Sequence, residues 1–194
     1  NSGATLRDTL ESVLRQTYLD IEHIIVDGGS TDNTMELVRE YEPRYHGRLR
    51  YVSEPDKGIY DAMNKGIRMA TGDIIGILNS DDFYTSSDIV EILAGELKEN
   101  HVDAVYGDIH YVDGKDLDKS IRYYSSAGFR RWKMLLGFMP AHPSFYCRKE
   151  TYERFGLFRT SYKVAADFEN LLRQGCIFRL ALLFSPPAKC SLSH

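Results

Sequence analysis

Long hydrophobic runs are absent from this chain of 194 residues. A helix needs about 20 apolar residues to span a bilayer, whereas the longest apolar stretch, residues 177–184, is interrupted by Arg179. No signal peptide opens the chain either. We therefore expect no membrane-spanning segment within these residues.

Cysteine is also scarce, and the chain has no excess of positive charge. The three cysteines, Cys147, Cys176 and Cys190, are odd in number and widely spaced, which fits neither a disulfide framework nor a paired-cysteine metal site. A reducing compartment, the cytoplasm, is therefore favoured. Lys and Arg number 24 against 28 Asp and Glu, a net charge of −4. Because a general nucleic-acid binder depends on an excess of cations, no nucleic-acid partner is expected.

The hydrophobic pattern of the first two-thirds of the chain alternates between helical and strand periods. Strands are predicted at residues 21–27, 49–53, 73–78 and 102–106, and helices near residues 6–14, 35–41, 59–70 and 87–98. Such an alternation is typical of an α/β fold, here with a mostly parallel sheet and helices on both of its faces.

The pattern changes after Gly107. A hairpin is predicted at residues 109–124, a basic and aromatic helix at 129–135, a loop and strand at 140–148, and a short helix at 165–173. We therefore predict a single domain with two halves, an α/β half over residues 1–107 and an irregular α+β half over residues 108–194. Its core is expected to include Phe129, Trp132 and Phe138; the alternative for these aromatic side chains is a platform that stacks on a sugar.

Acidic residues follow two of the predicted strands. Asp27 ends the first strand, and Asn79-Ser80-Asp81-Asp82 follows the strand at residues 73–78. Ligands bind beyond the carboxyl ends of strands in open parallel sheets, and adjacent buried carboxylates repel each other unless a cation joins them. Their oxygen atoms suit Mg²⁺ or Mn²⁺. A polar turn is the alternative for this segment taken alone, but its place after a buried strand favours the metal.

Two other turns carry weaker signals. Gly28-Gly29-Ser30 is similar to a phosphate-binding turn, but the chain has neither the dinucleotide fingerprint nor the P-loop pattern. The glycines are therefore expected to permit a tight turn. Lys57 precedes a predicted helix, so it either faces an anion together with the helix N-terminus or belongs to a solvated turn.

Five sequence blocks occur in order: IIVDGGSTDNT (24–34), EPDKGIYDAMNKGI (54–67), GDIIGILNSDDFY (72–84), HPSFYCRKE (142–150) and ADFENLLR (166–173). Together they resemble the family 2 glycosyltransferases of the GT-A type, a group that includes bacterial enzymes building surface polysaccharides. The resemblance spreads over nearly the whole chain. It implies a GT-A fold whose first half binds a nucleotide-sugar and whose second half faces the acceptor.

The resemblance also implies roles for individual residues on the donor side. Asp27 matches the carboxylate that hydrogen-bonds the nucleotide base, and Asp56 and Lys57 match a segment near the base and the diphosphate. In the Asp-x-Asp-type element, Asp81 matches the residue near the ribose. Asp82 matches the ligand of the metal, Mn²⁺ or Mg²⁺, that bridges the diphosphate.

On the acceptor side, the resemblance assigns Asp167 as the catalytic base and places His142 after the acceptor loop. Three positions depart from the family pattern. Asn79 stands where many relatives have Asp, Ala166 stands where the block more often has Glu, and Pro143 follows His142 where relatives often have Gln.

These roles describe a metal-dependent, inverting glycosyltransferase. Asp167 would take the proton of an acceptor hydroxyl as it attacks the anomeric carbon, and the cation would neutralise the leaving diphosphate. The expected donor is a nucleotide-diphospho-sugar, a UDP-sugar, and the acceptor a glycan or lipid-linked glycan. A non-catalytic nucleotide-binding relative stays open as an alternative. A receiver-like signalling domain fits less well, because its acidic pair belongs at the first strand of a shorter chain.

Further partners are suggested by the basic residues Arg130, Arg131 and Lys133. They are predicted to form a solvated helix face; the alternative is contact with a lipid-phosphate acceptor or an anionic membrane surface at the inner face of the membrane. A homodimer is also left open. Because members of such a family usually begin with a hydrophobic strand, residues upstream of Asn1, and others downstream of His194, are expected.

Overall fold

The computed structural model describes residues 1–99, 102–175, 180–182 and 188–192. Within these ranges the α-helices are α1 (Leu6–Leu14), α2 (Thr34–Tyr41), α3 (Ile59–Met69), α4 (Ile89–Glu99), α5 (Lys149–Phe155) and α6 (Ala166–Gly175). The strands are β1 (His23–Asp27), β2 (Leu49–Ser53), β3 (Ile74–Gly76), β4 (Asp82–Tyr84), β5 (Ala104–Tyr106), β6 (Ile109–Asp113), β7 (Asp116–Tyr124), β8 (Tyr146–Arg148), β9 (Leu180–Leu182) and β10 (Ala188–Leu192). Short 3-10 helices lie at Glu42–Tyr45, Arg131–Leu136 and His142–Ser144.

The strands of the described ranges form three sheets, with the orders β1-β2, β3-β8-β5-β9 and β4-β10-β6-β7. Neighbours are parallel in β1–β2, β5–β9 and β6–β10, and antiparallel in β3–β8, β5–β8, β4–β10 and β6–β7. The predicted α/β class is confirmed. The pairing is nevertheless mixed, because β8 inserts between β3 and β5 and β10 inserts between β4 and β6, from positions far along the chain. The division into halves at residue 107 stays a prediction.

The two N-terminal helices form where the apolar spacing predicts them. Leu6, Leu10 and Val13 recur at the helical period and are buried in α1, where they share a cluster with Val38 and Tyr41 of α2. Leu10 and Val38 are completely shielded from solvent. Burial of such side chains contributes about 1.5–3 kcal/mol each, so these contacts fix both helices beside β1 and β2.

The basic and aromatic segment differs from its prediction in two ways. It forms a 3-10 helix at Arg131–Leu136 instead of an α-helix, and Gly137, at φ 85°, ends it. Trp132 and Phe138 are not core residues, since they are 60% and 58% exposed. Phe129 is buried as expected, at 8% exposure. So short a helix turns only part of its surface inwards, which leaves most of its apolar side chains outside.

The cysteine and membrane predictions concern both described and undescribed residues. Cys147 is buried with a free thiol, and burial raises its pKa to about 12, so it stays protonated at neutral pH. Cys176 and most of the apolar stretch at residues 177–184 lie outside the described residues. Within the described part of the chain, no helix is both long enough and apolar enough to cross a bilayer.

A close approach between β3 and β8 yields a test of the fold. A Cβ added at Gly76 would lie 1.8 Å from the ring of Tyr146, which is buried and whose hydroxyl donates to the Tyr84 hydroxyl at 3.0 Å. We predict that Gly76→Ala lowers the free energy of unfolding by about 1–3 kcal/mol, measured by urea denaturation, because the ring has no room to withdraw.

The matched control is Gly95→Ala in α4, where no atom lies within 4 Å of the added Cβ. Its free energy of unfolding should stay constant or rise, since alanine favours helix over glycine. Equal stability of the two variants would contradict the packing of β3 on β8.

Candidate active site

Asp27 lies at the carboxyl end of β1 and is buried, with only 6% of its surface exposed. Its Oδ2 accepts hydrogen bonds from the backbone of Gly29 at 3.1 Å, the backbone of Ser30 at 3.0 Å and the Ser53 hydroxyl at 2.6 Å. Its Oδ1 accepts from the Ser30 hydroxyl. Gly29 has φ 86°, a left-handed conformation that glycine adopts readily, and this turns its N–H back to the carboxylate.

These hydrogen bonds set the charge of Asp27. Burial alone raises the pKa of its carboxyl, but the donors Ser30, Ser53 and Gly29 outweigh it, so the pKa lies below the ordinary value. Asp27 is therefore an ionised acceptor with a fixed orientation.

A cleft of about 340 Å³ opens beside Asp27. Its lining combines the end of β1, the turn after it, the start of the chain and Ser80: Asn1, Ser2, Leu6, Ile25, Val26, Asp27, Gly28, Gly29, Ser30, Thr31, Thr34 and Ser80. The hydroxyls of Ser2 and Ser80 are hydrogen-bonded at 2.7 Å. The cleft thus joins two of the sequence-predicted elements, Asp27 and the acidic turn that contains Ser80.

The two carboxylates of the acidic turn differ in exposure. Asp82 begins β4, is 2% exposed and accepts from the Asn79 side-chain amide at 2.7 Å. Asp81 is half-buried, and no hydrogen-bond or ion-pair partner of its side chain is found within the described ranges. Asn79, the departure from the family pattern, thus holds Asp82 in place.

Asp56 and Lys57 lie on the turn before α3. The Asp56 carboxylate packs against Gly28, where an added Cβ would lie 2.5 Å from its Oδ2, and its Oδ1 accepts from the backbone of Gly58 at 2.8 Å. Lys57 is exposed. Asp56 is therefore next to Asp27 along the rim, whereas nothing in the described residues fixes the Lys57 ammonium.

Asp167 lies in the first turn of α6, and its Oδ1 accepts a hydrogen bond from the Tyr60 hydroxyl of α3 at 3.1 Å. Burial, together with the charge of Asp167, raises the pKa of Tyr60, so Tyr60 remains a proton donor. Burial lowers the pKa of His142 although the charge of Asp167 opposes this. His142 is therefore a neutral imidazole at pH 7, in the electrostatic field of Asp167.

The ring of Phe158 organises the cluster that contains Tyr60 and His142. It is stacked with Tyr60 at 5.8 Å and meets His142 edge-on at 5.9 Å, measured between ring centroids. Asn64, one helical turn beyond Tyr60, donates to the Phe158 carbonyl at 2.8 Å and accepts from its N–H at 2.9 Å. His142 and Phe158 are thereby held beside α3, whose Tyr60 contacts Asp167.

Ala165 adopts φ 63° just before α6. A residue with a Cβ is disfavoured in this left-handed region by about 1–2 kcal/mol. Strained residues of this kind concentrate at functional sites, and this one directs the chain into the helical turn that carries Asp167.

The structure brings the predicted residues into two groups. Asp27, Asp56 and the acidic turn surround the end of β1, and Asp167 and His142 lie near Phe158. Helix α3 connects them, since Asp56 precedes it and Tyr60 belongs to it. The lining of the cleft includes Asp27 but neither Asp81, Asp82 nor Asp167, so a single cavity containing every predicted residue is not seen in the described part.

The expected metal needs oxygen ligands that lie close together. Among the residues that the structure describes, no group of three or more His, Cys, Asp or Glu side chains is placed to hold an ion. Mg²⁺ is usually bound by one or two carboxylates, and its remaining ligands are waters and substrate phosphates. Asp81 and Asp82 supply that number, so the residues fit a cation completed by a diphosphate.

Three contributors to the site were not found by sequence reasoning: Tyr60, Phe158 and Ser53. The sequence does contain a signal for Tyr60. Tyr60 and Asn64 are four residues apart on a predicted helix, so these two polar side chains lie on the same, otherwise apolar, face. For Ser53 the signal was its place at the end of a strand parallel to β1. Phe158 carries no local signal.

Known proteins resemble this chain in sequence. The sequence model of the family described as Glycosyl transferase family 2 matches residues 1–155. The PGL/p-HBAD biosynthesis glycosyltransferase of Mycobacterium bovis is 31% identical over 174 residues, which are 89% of this chain and 65% of the relative. The chain therefore spans less than two thirds of the length of that relative.

Solved structures share the fold. TarS of S. aureus in complex with UDP superposes with a TM-score of 0.78 at 19% identity, over 100% of this chain and 58% of that one. The mannosyltransferase PcManGT from Pyrobaculum calidifontis, in complex with GDP-Man and Mn²⁺, gives a TM-score of 0.70 at 21% identity, over 99% and 53%. This likeness confirms the predicted GT-A type of fold.

The hydrogen bonds of Asp27 predict a pH-dependent contribution to stability. Asp27→Asn leaves donors that face it without an acceptor, so the free energy of unfolding at pH 7 should fall by about 1–3 kcal/mol. Because the folded pKa is lowered, this contribution is complete above the unfolded pKa of about 3.9 and is lost as the pH falls through the folded pKa. Denaturation between pH 7 and pH 3 measures the difference.

Asp20→Asn is the control, since Asp20 is exposed and its replacement should change stability by less than about 0.5 kcal/mol. A constant difference between wild type and Asp27→Asn at all pH values would contradict the ionised state of Asp27.

Proposed function

The chain belongs to glycosyl transferase family 2, and we propose that it acts as a metal-dependent, inverting glycosyltransferase. It transfers a hexosyl or N-acetylhexosaminyl group from a nucleotide-diphospho-sugar, a UDP-sugar, to a glycan or lipid-linked acceptor of surface polysaccharide biosynthesis. It works in the cytoplasm or at the inner face of the membrane. The observation that carries this proposal is the cleft at the end of β1, where an ionised Asp27 and the acidic turn meet.

The donor side of the proposal rests on hydrogen-bonding capacity. Asp27 is held as an oriented anion, which suits it to accept from the N–H of a nucleotide base. Asp56 lies beside Gly28 and Lys57 is exposed on the same turn, where its charge is available to a diphosphate. Two structural neighbours support a nucleotide-sugar, since TarS is in complex with UDP-GlcNAc and PcManGT with GDP-Man.

The proposed cation position is the pair Asp81 and Asp82. When bound there, Mn²⁺ or Mg²⁺ would neutralise the charge that develops on the departing diphosphate. Asp81 offers an accessible carboxylate, and Asn79 fixes the orientation of Asp82. The Mn²⁺ in the PcManGT complex supports a divalent ion.

Asp167 is the proposed catalytic base. The acceptor hydroxyl oxygen forms a bond to the anomeric carbon while the bond from that carbon to the diphosphate oxygen breaks, and the hydroxyl proton passes to Asp167. A single displacement inverts the anomeric configuration. Tyr60 holds one carboxylate oxygen at 3.1 Å, which leaves the other for the acceptor. The neutral ring of His142 lies on the acceptor side.

The base assignment predicts a specific loss of turnover. In the full-length protein, Asp167→Asn should lower the rate of UDP release with acceptor by about 10²–10⁴-fold, because general base catalysis contributes that much. Its affinity for the UDP-sugar with Mn²⁺, measured by calorimetry, should stay near that of wild type.

Glu153→Gln, which changes an exposed carboxylate of α5, serves as the control and should keep full turnover. Full turnover of Asp167→Asn would refute the base assignment. A wild-type protein that binds UDP-sugars but transfers to no acceptor would favour the non-catalytic relative.

The metal assignment predicts different outcomes for the two acidic residues. Asp81→Asn should weaken Mn²⁺-dependent nucleotide binding at least about tenfold and leave the melting temperature of the free protein unchanged, because Asp81 has no partner among the described residues. Asp82→Asn should weaken the same binding and also lower the melting temperature, since a buried, hydrogen-bonded group is disturbed. If both variants bound the nucleotide with the same dependence on Mn²⁺ as wild type, the cation would have to bind elsewhere.

A further inference from the structure

The segment of residues 129–138, which we name the Trp132 segment, combines two buried anchors with an exposed apolar surface. Phe129 and Met134 are 8% and 5% exposed and belong to the core cluster that also contains Phe158. The segment is therefore attached firmly to the domain, next to the acceptor-side group. Pro140, buried as well, lies between the segment and His142, which follows Phe138 by four positions.

Four large apolar side chains of the Trp132 segment point away from this core. Each of them is more than half exposed: Trp132 60%, Leu135 83%, Leu136 63% and Phe138 58%. Side chains this exposed protrude from the surface instead of forming the floor of a groove. A fluid apolar layer surrounds protruding side chains from all directions, whereas a rigid protein partner needs a matching cavity for each.

The charged residues of the Trp132 segment and of its flanking sequence have one sign. Residues 119–149 contain seven of the 24 Lys and Arg residues and none of the 28 Asp and Glu residues. Arg130 donates to the carbonyls of Ala127 and Phe129, and Lys133 donates to the carbonyl of Gly128. Neither cation forms an ion pair with a carboxylate of the described ranges, so both charges remain available to an external anion.

We propose that the Trp132 segment docks the protein onto an anionic lipid surface. Trp132, Leu135, Leu136 and Phe138 enter the boundary between headgroups and acyl chains, and the neighbouring cations contact the lipid phosphates. Aromatic and leucine side chains flanked by Lys and Arg are the combination that binds in the interface plane. The solvated-face interpretation of the basic residues does not account for the four exposed apolar side chains beside them.

This docking goes beyond the proposed transfer and does not depend on it. It would bring residue 142, four residues beyond Phe138, close to the bilayer surface. A lipid-linked acceptor would then present its sugar on the side of the domain where Asp167 and His142 lie. A net charge of −4 repels the rest of the chain from an anionic surface, so the basic segment also sets which face approaches it.

Vesicle flotation of the full-length protein tests the proposal without donor or acceptor. The protein should float with vesicles of phosphatidylcholine containing about 30% phosphatidylglycerol and much less with phosphatidylcholine alone. Replacing all three cations (Arg130→Gln, Arg131→Gln, Lys133→Gln) should weaken binding at least about tenfold. Leu135→Ser with Leu136→Ser should have a similar effect. Raising KCl from about 0.05 M to about 0.5 M should weaken wild-type binding.

Matched controls change equally exposed residues elsewhere. Arg39→Gln, Arg68→Gln and Arg154→Gln together remove three exposed cations of α2, α3 and α5, and Leu19→Ser removes an apolar side chain that is 74% exposed. Both controls should float as wild type does. Because all of the altered apolar side chains are exposed, melting temperatures should stay near the wild-type value.

Trp132 supplies an independent readout, as the only tryptophan of these 194 residues. Anionic vesicles should shift the fluorescence emission of Trp132 to shorter wavelength. This shifted emission should be missing from the Trp132→Phe variant.

The proposal is overturned if flotation is equal for neutral and anionic vesicles, or if the segment variants bind as the controls do. It is also overturned if the exposed residues instead hold a dimer, which sedimentation would detect as dissociation of the Leu135→Ser, Leu136→Ser variant. Asp167→Asn should bind vesicles normally, so a failure of docking is distinct from a failure of the proposed catalysis.

Discussion

The ionised carboxylate of Asp27 is the constraint on which the proposed donor side depends. Donors from the turn after β1 and from the end of β2 converge on it, so one group joins two strands and the loop that lines the cleft. Burial opposes its charge, and the hydrogen bonds prevail. A site built this way is rigid before any ligand arrives, which favours binding since little conformational entropy remains to be lost.

The proposed acceptor side is organised differently, through aromatic rings instead of converging hydrogen-bond donors. Phe158 contacts Tyr60 and His142 and is bonded through its backbone to Asn64. Tyr60 in turn donates to Asp167. Helix α3 therefore serves both sides, because the turn at its start carries Asp56 and its first turns hold Tyr60. A displacement of α3 would alter the two groups together, which couples the proposed donor site to the proposed base.

Charge is distributed unevenly along the chain. Acidic residues outnumber basic ones by 28 to 24 in the whole chain, whereas residues 119–149 contain no Asp or Glu. The exposed apolar side chains of the Trp132 segment lie within this stretch. Positive charge and hydrophobic exposure thus coincide in one part of the sequence. This coincidence gives the domain an orientation relative to a charged surface that net charge alone does not reveal.

The sequence by itself determined the features that depend on neighbours along the chain. Helical spacing located α1 and α3, a buried strand located Asp27 at its end, and the order of five blocks identified the family, whose membership and fold are confirmed. The roles of Asp27, Asp56, Lys57, Asp81, Asp82, His142 and Asp167 stay predictions. Only the tertiary structure decided the insertion of β8 between β3 and β5, the exposure of Trp132, and the contact between Tyr60 and Asp167 across 107 residues. Periodicity records which face of an element is apolar, but the partner of that face is chosen by packing among all elements at once.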